Sequence, residues 1–137
     1  MKFKLESSVP NMFIINILIL IIAGLSLLVL YLGLRLYTLS GSQLIPASQA
    51  KRLIKSGEIT QIIDVRTKLE YDSGHFPNAI HIPVNNINYN TTKELDKNKT
   101  ILLYCNTGQR ARYAANKMNN LGFNKVYYID GTYKTIL

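Results

Sequence analysis

From Met12 to Leu34 the chain runs for 23 residues, MFIINILILIIAGLSLLVLYLGL, without a charged side chain; Asn16 and Ser26 are its clearly polar members. A helix rises about 1.5 Å per residue and a hydrocarbon core is roughly 30 Å thick, so this stretch is long enough to cross a bilayer. Nothing gives it a polar face, which disfavours the core helix of a soluble domain. The competing reading is a cleaved secretory signal, whose apolar core would run about 7 to 15 residues before a small-residue cleavage site. Here Leu36 and Tyr37 extend the run past Arg35. An uncleaved single-pass anchor over residues 12–37 is therefore expected, preceded by a tail over residues 1–11.

Orientation follows the basic residues near each end of a span, because the cytoplasmic side carries the excess. Lys2 and Lys4 stand before the apolar run, and Arg35, Lys51, Arg52 and Lys55 after it. The bias predicts a cytoplasmic carboxy-terminal domain, in a bacterial cell at the inner membrane. Cys105 is the single cysteine of the 137 residues, so no internal disulfide can form and a reducing compartment suits the chain. The alternative is an extracytoplasmic domain with a free or intermolecularly paired Cys105.

Residues 39–137 hold 13 basic and 7 acidic side chains, a net charge of +6. A basic domain tethered to a membrane is expected to meet anionic head groups. The charges are spread along the domain and mixed with acids, without an arginine-rich run or an aromatic-basic stripe, so nucleic acid is not an expected partner.

Beyond the anchor, residues 38–43 read as a short polar linker and residues 44–137 as one domain. Pro46 opens a helix in which Ala50, Leu53 and Ile54 share a face and which Gly57 ends. Residues 60–65, TQIIDV, form a β-branched run that predicts a buried strand, and KLEYD predicts a helical turn. Residues 79–84, AIHIPV, predict a second strand, and residues 100–105, TILLYC, an interior one. Residues 84–98 are polar and read as a short helix plus loop. A helix follows TILLYC, with Tyr113, Ala114, Met118 and Leu121 at helical spacing and Gly122 as its stop, and KVYYI predicts a last strand. Strands alternating with helices imply an α/β domain with a mostly parallel central sheet flanked by helices.

In such a sheet the functional crevice lies beyond the carboxyl ends of the strands, and Cys105 stands at one of them, at the turn into a helix. A helix amino terminus offers unpaired amides and about half a positive charge, and turn amides can form an anion-binding nest. Gly108 gives the turn conformational freedom, and Arg110 and Arg112 add positive charge that favours a thiolate over a thiol. A buried cysteine that merely completes a core strand is the other reading of the same residues.

Residues 62–84, IIDVRTKLEYDSGHFPNAIHIPV, resemble the signature of rhodanese-like domains: Asp-x-Arg, then Glu-Tyr, then the Gly-His turn that leads to Ile-Pro. YCNTGQR resembles that family's active-site loop, and GFNKVYYIDG its final strand and turn. The resemblance spans roughly residues 44–132, with its motifs in the family's order. It implies a small α/β domain in which Cys105 is catalytic and carries sulfur as a persulfide, cradled by Asn106, Thr107, Gly108, Gln109 and Arg110. A sulfane-sulfur donor and a nucleophilic acceptor, small molecule or protein, are the implied partners, with two-step displacement kinetics and no cofactor.

Cys105 to Arg110 spans six residues, similar to the sulfurtransferase form; phosphatase and arsenate-reductase relatives use a loop one residue longer. Asn106 stands where many active members have a basic residue, which implies weak binding of an anionic donor such as thiosulfate. Ala111 replaces a common Ser or Thr, and Tyr133 stands in for a tryptophan of the family's last turn.

Asp64 and Arg66 read as a structural ion pair, and His75 and His81 as structural residues. No second ligand lies at metal spacing from His75, so no metal is expected. Three functions remain: a membrane-anchored sulfurtransferase, a non-catalytic binding module that gathers partners at the membrane, and a phosphatase or arsenate reductase, which the loop length disfavours.

Overall fold

The computed structural model describes residues 11–39 and 41–137, which fall into two units divided between Thr38 and Leu39. Helix α1, Met12–Leu39, makes up the first unit as far as Thr38 and starts where the Asn11 side chain accepts a hydrogen bond from the Phe13 amide at 3.2 Å. Apart from Asn11, the expected tail lies outside the described residues. Over Met12–Leu36 the mean hydropathy is 3.0 and the side chains are exposed. By length and composition this helix can cross a membrane. Its polar Ser26 hydroxyl is satisfied within the helix, donating to the Ala23 carbonyl at 2.8 Å, as an apolar surrounding would require.

In the second unit, β1 (Gly41–Leu44), α2 (Ala47–Lys55), β2 (Ile59–Asp64), α3 (Lys68–Asp72), β3 (Ile80–His81), α4 (Tyr89–Thr92), β4 (Thr100–Tyr104), α5 (Gln109–Asn120) and β5 (Lys125–Tyr128) follow in chain order. The strands form one sheet of order β1-β5-β4-β2-β3, and every pairing is parallel. This is the α/β architecture that the alternating pattern implies. The chain leaves β2 toward β3 on one side and β4 toward β5 on the other. The carboxyl ends of β2 and β4 therefore flank the point where connections diverge, the usual place for a crevice in an open sheet.

Why TILLYC is almost wholly apolar is plain from the layers. Ile101, Leu103 and Cys105 face one side, with Ala111, Ala114, Ala115 and Met118 of α5. Leu102 and Tyr104 face the other, with Ala50 of α2, Ala79 and Ile136. A central parallel strand is covered on both faces, so both sets of alternating residues must be buried. The period of two continues one residue past β4 and sends the Cys105 side chain under α5.

Three local expectations change. Residues 41–43 of the expected linker form the edge strand β1, paired with β5 from Gly41 opposite Lys125 to Leu44 opposite Tyr128. GSQL lacks any β-branched residue, and its extension comes from the partner strand rather than from propensity. Strand β3 keeps only two residues of the expected six, because Pro83 cannot donate to a ladder and a 3₁₀ turn, Val84–Asn86, begins at once. Tyr113 is exposed, and the buried stripe of α5 is carried by small alanines that let the helix approach the sheet closely.

Candidate active site

Hydrogen bonding along the sheet decides where the loop starts. Asp64 lies opposite Tyr104, and the Val65 amide donates to the Tyr104 carbonyl at 3.2 Å, so β2 and β4 end side by side. Cys105 follows, fully buried. Asn106 and Thr107 then turn outward, Gly108 is buried, Gln109 is exposed and Arg110 is half-buried as α5 begins. The structure thus brings all six expected loop residues to the amino end of α5.

The turn depends on Gly108, whose φ is +78°, a left-handed conformation that side chains resist. A Cβ there would also lie 2.8 Å from Asp130 Oδ1, closer than real contacts allow. In this conformation the Gly108 amide points back at the thiol and donates to Cys105 Sγ at 3.1 Å. The Arg110 guanidinium is raised above its ordinary pKa, first by its hydrogen bonds to Glu70 and, less, by Cys105. The sulfur thus sits at the amino end of α5 and accepts one backbone amide there.

Arg110 is held in turn by Glu70 on α3. Its Nη1 donates to Glu70 Oε2 at 2.7 Å and its Nη2 to Oε1 at 2.8 Å, a bidentate fork. The Asn106 side chain donates to the same Oε1 at 2.7 Å. Glu70 is placed by a capping box: the Thr67 amide and hydroxyl each donate to its Oε2 at 2.8 Å, while the Glu70 amide donates back to the Thr67 hydroxyl at 3.4 Å. Arg110 above all, then the Thr67 bonds, hold the Glu70 carboxyl well below the usual carboxylate range. Sequence reasoning assigned Glu70 no role. The Thr67-x-x-Glu70 spacing announces the cap, but nothing local announces a second partner 40 residues away.

Beneath the loop lies a second network. Arg66 Nε donates to Asp64 Oδ1 at 2.9 Å, and Arg66 Nη2 donates to the Gly74 carbonyl at 2.6 Å. Tyr104 donates its hydroxyl proton to Asp64 Oδ2 at 2.7 Å and accepts from the Phe76 amide at 3.1 Å. Burial, followed by the bond to Asp64, pushes the Tyr104 phenol up. The Arg66 guanidinium lies over the Tyr104 and Tyr133 rings at 5.5 and 5.2 Å. Gly74, with φ +139°, makes room for Tyr133, since a Cβ there would meet the Tyr133 hydroxyl at 2.5 Å. His75 and His81 stack on Tyr71 and donate ring N–H groups to the carbonyls of Tyr71 and Arg66 at 2.9 and 3.0 Å. Both histidines brace the turn.

A cleft of about 270 Å³ opens beside the loop, lined by Arg66, Glu70, Gly74, Asn106, Tyr133 and Lys134. On the other flank Thr107, Gln109, Arg112 and Asp130 line a second cleft of about 190 Å³. The larger cavity of about 480 Å³ sits at the amino ends of the strands, by Gly41, Thr100 and Lys125, far from the thiol's end of the sheet.

Known proteins resemble this chain in sequence and fold. The family model described as Rhodanese-like domain matches residues 46–137. A tRNA uridine(34) hydroxylase of Enterobacter sp. (strain 638) is 34% identical over an alignment of 98 residues that covers 62% of this chain and 28% of that protein. The putative sulfur carrier protein YrkF of Bacillus subtilis is 37% identical over 76 residues, 56% of this chain and 40% of that one. The chain thus spans less than half the length of these curated relatives. Among solved structures, the BH2092 protein from Bacillus halodurans is 35% identical with a TM-score of 0.58, covering 74% of each chain. The human single-domain sulfurtransferase TSTD1, at 21% identity and a TM-score of 0.57 over 69% of this chain and 95% of that one, shares the fold. With the match running from the helix after β1 to the last residue, the chain belongs to the rhodanese-like domain family.

Proposed function

We propose that this chain is a sulfurtransferase, anchored in a membrane by α1, in which Cys105 carries sulfane sulfur as a persulfide to a nucleophilic acceptor. The observation that carries the reading is the hydrogen bond from the Gly108 amide to Cys105 Sγ, at the carboxyl end of β4 and the amino end of α5. In the first displacement the thiolate attacks the donor's outer sulfur and expels the rest of the donor. In the second, the acceptor attacks the outer sulfur of the persulfide and Cys105 leaves as the thiolate. Asn106, Thr107, Gly108, Gln109 and Arg110 form the cradle around the transferred sulfur, with no cofactor.

The experiment is to treat the detergent-solubilised chain with thiosulfate or a persulfide and weigh it intact, beside Cys105→Ser. Gain of one cyanide-labile sulfur by the wild type alone is the expected result, and no gain from either donor overturns it. The complete burial of Cys105 favours a second reading, a non-catalytic module that recruits partners at the membrane, and the absence of loading would leave that reading standing. Cytoplasmic placement of the domain is part of the proposal. A membrane-impermeant thiol reagent should label Cys105 in lysed cells and miss it in intact ones.

A further inference from the structure

We infer that Glu70 sets the class of sulfur donor: a persulfide that leaves as a singly charged thiolate, in preference to thiosulfate, which leaves as the sulfite dianion. The inference rests on the persulfide chemistry proposed for Cys105, and it concerns which charges remain free to meet a donor.

Both oxygens of Glu70 are occupied, Oε1 by Asn106 and Arg110, Oε2 by Arg110 and by the amide and hydroxyl of Thr67. The guanidinium fork of Arg110, which could have clasped a sulfonate, is closed on a carboxylate instead. Arg66, the other guanidinium of the cleft, is bound to Asp64 and the Gly74 carbonyl. The loop residue after the thiol, Asn106, is neutral, and its amide also turns toward Glu70. With these two arginines each matched by a carboxylate, Lys134 is the remaining cation on the cleft wall, and it is exposed to screening water.

Thiosulfate must bring two negative charges past Glu70 to a thiolate and deposit both on sulfite as it leaves. A hydropersulfide, R–S–S–H, makes the smaller demand. Cys105 Sγ forms a bond to the outer sulfur, the donor's S–S bond breaks, and the electron pair departs on R–S⁻. The outer sulfur keeps its hydrogen, giving Cys105–S–S–H. Sulfur moves without a change in overall oxidation level, so no external oxidant or reductant is required.

The test measures single-turnover loading of Cys105 by intact mass in the detergent-solubilised chain, with thiosulfate and with the persulfide of 2-mercaptoethanol as donors. Wild type should load faster from the persulfide. In Glu70→Gln, which removes the charge and keeps the shape, the ratio of the thiosulfate rate to the persulfide rate should rise about tenfold. Asn106→Lys, which leaves Glu70 on Thr67 and Arg110 and adds a cation, should move the ratio in the same direction. Added salt should raise the thiosulfate rate of wild type by screening the repulsion. A ratio that stays put in both variants, or a wild type that prefers thiosulfate, overturns the inference while leaving sulfur transfer intact. Loading by neither donor overturns the sulfur-transfer reading and this inference with it.

Discussion

Two arginine–carboxylate pairs serve this site, and they differ in depth and in the length of chain they join. Asp64 and Arg66 are two residues apart, with side chains 0% and 6% exposed. Glu70 and Arg110 are 40 residues apart, with side chains 28% and 35% exposed. The buried pair is surrounded by further partners, Tyr104, Gly74 and the ring of Tyr133, so that none of its polar atoms is orphaned. The outer pair shares its carboxylate with the loop and with the cap of α3. A buried ion pair fixes geometry because breaking it strands a charge, whereas a partly exposed pair is screened and contributes little to stability. The inner pair therefore holds the ends of β2 and β4 in place, and the outer pair, which water reaches, adds little to stability.

Asp64→Asn is the strongest attempt to break that distinction. It leaves the buried Arg66 guanidinium without a counter-charge and turns an amide N–H₂ toward existing donors. A loss of about 3–5 kcal/mol is expected from urea denaturation of the detergent-solubilised chain. A loss below about 1 kcal/mol would place the two pairs in the same class.

Much of this was legible in the chain, and what was not has a physical reason. The doubly buried strand β4 was legible because an interior parallel strand must be apolar on both faces, and TILLYC is. The six loop residues were legible because they are contiguous and end on a helix start. Strand β1 was not, since GSQL has linker composition and is extended only by its register with β5. Nor was Glu70's hold on Arg110: the capping box explains the glutamate completely, so local sequence leaves no residue of signal for a partner on α5. Tyr104 reads as one more apolar position of a strand, and its hydroxyl's bond to Asp64 appears only when β2 and β4 are side by side.

The outer pair can be separated by acid. Glu70 titrates below its usual value in the folded chain, so its contribution is complete above the unfolded carboxylate value of about 4.3 and is lost as pH falls through the lower folded value. The contribution is small because water reaches both partners. At neutral pH Glu70→Gln should lose about 1 kcal/mol. That deficit should hold down to about pH 5 and shrink steadily in more acid solution, where wild type loses the same charge. A deficit independent of pH would mean that the loss comes from the amide N–H₂ facing the donors of Thr67, Asn106 and Arg110, not from the ionisation of Glu70.

The smallest effect belongs to Lys68 and Asp72, an ion pair on α3 at 2.9 Å whose side chains are 78% and 53% exposed. It lies on the same short helix as Glu70 and has comparable length, so it isolates what exposure alone does. Lys68→Met removes the charge and keeps the apolar stem, and it should shift stability by about 0.3–0.5 kcal/mol, the value of a solvated pair one helical turn apart. The shift should disappear in high salt, because water and ions already surround both partners. If Lys68→Met instead matched the loss in Glu70→Gln, the worth of Glu70 would come from holding α3 together rather than from reaching the loop. The contrast between the inner and outer pairs would then be one of helix stability alone.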